Sequence, residues 1–88
     1  MRTEQYVLND FEKLGWRLAE DYINFTLKKT KTDYGVFGQI IWYCYITFDK
    51  DKKTYRAIAN GAFTTKGYEL SMEEHKLLNE LFTIWGWI

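Results

Sequence analysis

The sequence holds no proline, one cysteine and one histidine in 88 residues. A lone Cys44 cannot close an internal disulfide, which argues against a small secreted scaffold stapled by bridges and for a reducing compartment. With one Cys and one His there is little from which to build a reactive or metal-binding site. Charge of one sign is also missing. Twelve basic and twelve acidic residues cancel, so no global field draws the chain to nucleic acid or anionic lipid, and any electrostatic partner must be read by a local patch. Long apolar runs are absent too. The longest, 40–46, falls far short of the ~20 residues a bilayer span needs, and the first five residues lack the apolar core of a signal peptide. A soluble, cytoplasmic protein with no membrane partner is expected.

Rings are abundant: aromatic residues make up 19% of the chain, including four tryptophans. Each buries on the order of 150–250 Å², which exceeds what a core of this size demands and predicts adhesion as the chemistry. The length fits a single domain, 1–88, burying roughly 60–65% of its unfolded surface.

Thr3 as N-cap, Glu4 in the first turn, and Val7, Phe11 and Leu14 at helical spacing predict a first helix of about three turns, ended by Gly15. Over 16–29 the period becomes two, with Ile23, Phe25 and Leu27 on one side and Tyr22, Asn24 and Thr26 on the other, predicting a strand. The stretch 30–38, with Gly35 and Gly38, reads as a flexible connection to a central strand over 39–48. Asp49-Lys50-Asp51-Lys52-Lys53 reads as a hairpin loop and 54–59 as a third strand, with a short edge strand over 62–64 as an extension. Ser71 and Glu74 form a capping box ahead of an apolar stripe of Leu77, Leu78, Leu81, Phe82 and Trp85, and Gly86 is placed to stop that helix. The tail Trp87-Ile88 is expected to fold back onto the sheet.

The fold class expected is α+β, a single α-β-β-β-α domain whose three-stranded antiparallel sheet carries both helices on one face. On the central strand Ile40, Trp42, Cys44, Ile46 and Phe48 should meet the helices, while Tyr43 and Tyr45 point away. Ala57 and Ala59 leave room for the helices and send Arg56 and Ile58 outward. Tyr22, Tyr43, Tyr45, Arg56 and Ile58 are therefore the candidate binding residues, Tyr and Arg being the types enriched in interface hot spots. The alternative is that these tyrosines only stack with cross-strand neighbours.

The element order also resembles that of double-stranded RNA-binding domains. Those domains carry a basic cluster where the last helix begins, whereas this chain has Glu73 and Glu74 there. Asp49-x-Asp51-x-Lys53 fails as a calcium loop, because the third oxygen ligand, the glycine and the closing glutamate are all replaced. His75 near Ser71 and Glu74 reads as a surface histidine, and Cys44 as core. No cofactor, metal or catalytic residue is expected, and the protein is not expected to be an enzyme.

The stretches 10–16 (Asp10-Phe11-Glu12-Lys13-Leu14-Gly15-Trp16), 48–55 (Phe48-Asp49-Lys50-Asp51-Lys52-Lys53-Thr54-Tyr55), 77–82 (Leu77-Leu78-Asn79-Glu80-Leu81-Phe82) and the ending Trp85-Gly86-Trp87-Ile88 resemble those of small prophage-borne and mobile-element proteins of Gram-positive bacteria. That resemblance implies an accessory or inhibitor-like protein acting by binding a larger bacterial or phage macromolecule. A protein partner is expected, a homodimer is the other arrangement the sheet face allows, and nucleic acid is the less favoured alternative.

Overall fold

The computed structural model describes residues 2–19 and 24–88. Its elements are α1 (Glu4–Lys13), β1 (Arg17–Leu18), β2 (Phe25–Gly35), β3 (Gly38–Asp49), β4 (Thr54–Asn60), β5 (Thr65–Gly67) and α2 (Met72–Ile84). The sheet is antiparallel with five strands in the order β1-β2-β3-β4-β5. The three-stranded expectation is thereby corrected to α-β-β-β-β-β-α. The single strand expected over 16–29 is divided between β1 and β2, and Tyr22 and Ile23 lie outside the described residues.

The largest correction falls on 30–38. Gly35 and Gly38, read as loop signals, face each other as the last pair of the β2–β3 ladder, flanking a tight Val36-Phe37 turn. Gly38 has φ 116°, a conformation L side chains rarely adopt, so the glycine is needed by the turn itself and not by a long loop. Threonines 30 and 32 supply β-branched residues to the extended strand. The edge strand expected over 62–64 is instead a turn closed by the Gly61 amide donating to the Thr64 carbonyl at 2.8 Å, and β5 begins at Thr65. A Cβ on Gly61 would meet the Trp42 ring at 2.8 Å, so only glycine lets this turn lie against β3.

Helix ends follow the sequence closely. The Thr3 side chain accepts from the Tyr6 amide, the complete capping box joins Ser71 and Glu74, and Gly15 and Gly86 take positive φ just beyond the two helices. One face of the sheet meets both helices. Val7 and Phe11 of α1, Leu77, Leu78 and Leu81 of α2, Trp16, and the sheet residues Leu27, Cys44, Ile46, Phe48 and Ala59 form the core. All four tryptophans belong to this cluster or pack against it, so much of the aromatic load fills a small core. Trp87 folds back and stacks on Phe82 with centroids 5.0 Å apart, while Ile88 stays exposed.

Two substitutions test this architecture in urea melts. Leu81 is fully buried between helix and sheet, and Leu81→Ala should cost about 2–5 kcal/mol. Lys53 ends the β3–β4 turn with φ 57°, so Lys53→Gly should raise stability by up to about 1 kcal/mol. A loss of stability in Lys53→Gly would show that this turn is not held as described.

Candidate functional site

With both helices on one side, strand alternation leaves the other side of the sheet uncovered by them. Tyr45 lies opposite Ile58, Tyr43 opposite Asn60 and Arg56 opposite Thr47, so Tyr43, Tyr45, Arg56 and Ile58 share this outer face. Tyr43 is 52% exposed, Arg56 is exposed, and Tyr45 and Ile58 are half-buried. Tyr22, the fifth candidate, lies outside the described residues.

Sequence reasoning missed two neighbours. Lys28 pairs with Tyr45 across β2 and β3, and Arg17 pairs with Lys28 across β1 and β2, which puts both cations on the outer face. The signal was present in the alternation of β2, which places Lys28 with Thr26 and opposite in facing to Leu27. What could not be read was that Arg17 belongs to a separate strand beside it. Arg17, Lys28, Thr30, Tyr43 and Tyr45 line a cleft of about 550 Å³ that reaches round to Glu12 and Trp16 where β1 begins, and to Lys29 and Cys44 of the inner side. Asp49 is the acidic strand residue with the same facing, and its carboxylate accepts from the amides of Asp51 and Lys52. The face is therefore cationic and aromatic.

Charge in the whole chain is sorted the same way. The segments 2–13 and 69–84, which hold the helices, carry seven acidic and three basic residues; 17–67 carries nine basic and five acidic. A net charge of zero conceals this polarity.

Glu74 is a buried carboxylate, 3% exposed, and is the obvious catalytic suspect in the fold. Its partners answer otherwise. The Trp16 indole donates to it at 2.5 Å, the Tyr68 hydroxyl at 3.1 Å, and the Ser71 amide at 2.8 Å, so its oxygens are engaged in holding three segments together. Burial pushes its pKa up, but the bonds from Ser71, Trp16 and Tyr68 outweigh burial and hold it below the ordinary value. Burial, followed by the Glu74 charge, pushes the Tyr68 hydroxyl up. Ser71 is occupied as a cap, with its Oγ accepting from Glu74, and His75 Nδ1 lies 3.1 Å from the Ser71 carbonyl. Cys44 is buried, and burial raises its thiol pKa. Among the described residues no group of three His, Cys, Asp or Glu side chains is arranged to hold a metal ion, and no helix is long and apolar enough to cross a membrane.

No family model, curated protein or solved structure matches this chain.

A depressed carboxylate contributes stability that is full above its unfolded pKa and is lost as pH falls through the folded one. Glu74 should therefore help sustain the melting temperature above about pH 4.5, its ordinary value, and fail below it. Glu74→Gln should flatten the acid limb of a plot of melting temperature against pH relative to the parent. Glu74→Ala, which strands the Trp16 and Tyr68 donors, should cost about 3 kcal/mol or more. An unchanged acid limb in Glu74→Gln would mean that the carboxylate is not ionised in the fold.

Proposed function

We infer that this protein is a non-catalytic binding module that presents the outer sheet face to an acidic surface of a larger protein. The observation that carries this reading is the coincidence of Tyr43, Tyr45, Arg56 and Ile58 with Arg17 and Lys28 on the side of the sheet the helices do not cover. A partner carboxylate fits the cleft beside Arg17 and Lys28, where charge-assisted hydrogen bonds are strong, while the tyrosines supply contact area and hydroxyl tips. An accessory or inhibitor-like role, in which the module occupies a site on its target, suits a chain in which the buried side-chain polar atoms of the described residues are all spent on its own fold. The part of that reading which concerns mobile elements rests on the resemblance of its helix ends and turns.

The same cations beside the same rings favour a second reading, a single-stranded nucleic acid with bases stacked on Tyr43 and Tyr45 and phosphates on Arg17, Lys28 and Arg56. Salt separates the two readings. Phosphate contacts release counterions, so a nucleic-acid complex should weaken steeply between low and physiological salt.

The test uses the parent and two variants as bait in a bacterial lysate, with melting curves for each. Tyr43→Ala and Arg56→Glu change exposed side chains and should leave the melting temperature nearly unchanged while weakening capture by ~30-fold, the equivalent of a hot spot of about 2 kcal/mol. Capture that survives both substitutions would remove the outer face from consideration. Retention of RNA or DNA by the parent, lost as salt is raised, would install the second reading.

A further inference from the structure

The β2–β3 ribbon runs on past its neighbours. β1 pairs with β2 at Lys28 and Leu27, and β4 pairs with β3 from Tyr43 onward, so over 31–42 the two strands are laddered only to each other among the described residues. The longest dimension of the molecule, 46 Å against 24 and 22 Å, reflects this projection. At its tip Val36 is 96% exposed and Phe37 fully so, with Tyr34, Ile40 and Ile41 also exposed behind them.

The turn does not need apolar residues. Its positive φ is carried by Gly38, and short hairpin turns favour Asn, Asp and Gly. The fifteen residues from 34 to 48 carry no charge. Phe63, fully exposed, sits on the 61–64 turn that packs against Trp42, at the level of Lys31 in the ladder. Behind this apolar end stand three lysines: Lys31 opposite Trp42 in the ladder, Lys66 over the Trp42 ring at 4.3 Å, and Lys29 over Trp16 at 5.6 Å. Asp33, opposite Ile40 and two residues nearer the tip than Lys31, and Glu69 are the carboxylates beside them.

We propose that the ribbon tip docks on an anionic phospholipid surface, with Val36 and Phe37 entering the boundary between headgroups and acyl chains and Lys31 and Lys66 meeting lipid phosphates. The dimensions agree. Lys31 lies five residues behind Val36, on the order of 16 Å at ~3.3 Å per residue. A tip buried roughly 5–10 Å places Lys31 about 6–11 Å above the boundary, at the level of the headgroups. An apolar anchor or a basic patch alone gives marginal binding, and the two together give stable association. Glu69 apart, the carboxylates of the helical segments 2–13 and 69–84 belong to elements packed on the clamped part of the sheet and not to the ribbon. Nucleic acid fits the tip less well, because no basic residue lies between Lys31 and Lys50 to meet phosphates flanking an inserted Phe37. The absence of a spanning segment and the zero net charge, from which no membrane partner was expected, do not bear on a hairpin tip with a local lysine collar.

Flotation with phosphatidylcholine vesicles containing phosphatidylserine, compared with pure phosphatidylcholine vesicles, decides the matter. The parent should float with the anionic vesicles and bind the neutral ones at least tenfold more weakly. Phe37→Asp should lose at least tenfold on anionic vesicles with an unchanged melting curve, since the side chain it replaces is fully exposed. Lys31→Glu and Lys66→Glu should each lose about fivefold or more. Tyr45→Ala, which bears on the outer face, should float like the parent, so this proposal and the outer-face reading can fail separately. No flotation with anionic vesicles, or flotation indifferent to Phe37→Asp, overturns the proposal. So does Phe37-dependent retention of a DNA or RNA duplex by a protein that ignores vesicles.

Discussion

The structure depends on one buried carboxylate. Glu74 begins α2, yet its oxygens take donors from the segment after α1 through Trp16, from the segment after β5 through Tyr68, and from its own cap through Ser71. A buried charge is tolerable only when hydrogen bonds replace its water, and here each bond also fixes a chain segment. Trp16 and Tyr68 meet edge to face with centroids 5.3 Å apart, so the polar contact and the ring contact reinforce each other. At the opposite end of α2 the Trp85 indole donates to Glu4 at 2.6 Å, and Arg2 bridges Asp10 and Glu80. The two helices are thus tied together at both ends, and the apolar stripe between them need only fill space.

Fixing both helices to one face decides where everything else goes. Because strand residues alternate, Cys44, Ile46 and Phe48 are committed to the core, and Tyr43 and Tyr45 are turned outward by the same step. The cations follow suit: Lys28 turns outward with Tyr45, while Lys29 and Lys31 turn inward onto Trp16 and the level of Trp42. A run of three lysines in four residues is therefore divided between two surfaces. The outer face gains a charge that can steer an acidic partner, and the inner side of the ribbon gains a collar behind its apolar tip.

Much of this was legible in the sequence. The caps at Thr3 and Ser71, the stops at Gly15 and Gly86, the burial of Cys44 and the outward facing of Tyr43, Tyr45, Arg56 and Ile58 all follow from local rules, namely hydrogen-bonding side chains at helix starts, glycine at positive φ, and a period of two. What failed was the distinction between a glycine that breaks a strand and one that closes a hairpin. Gly35 and Gly38 look alike in sequence, and their pairing across a two-residue turn is a tertiary fact. Glu74 was legible as a capping residue, but its bonds to Trp16 and Tyr68 join residues 58 and six positions away and have no local signature. Strand pairing hid Arg17 for the same reason, since a strand of two residues leaves no period to detect.

The ribbon that sequence reading turned into a loop is physically the least self-sufficient part of the molecule. An isolated two-stranded hairpin is marginal in water, and this one carries exposed rings and aliphatic chains at its end. It is anchored because its strands continue without interruption into the part of the sheet clamped beneath the helices, where Leu27, Ile46 and Phe48 are buried. The stability of the core is thus transmitted along the ladder to a segment that contributes little burial of its own. Loss of the Glu74 network should accordingly loosen the tip along with the core, whereas changes at Val36 or Phe37 leave the core untouched.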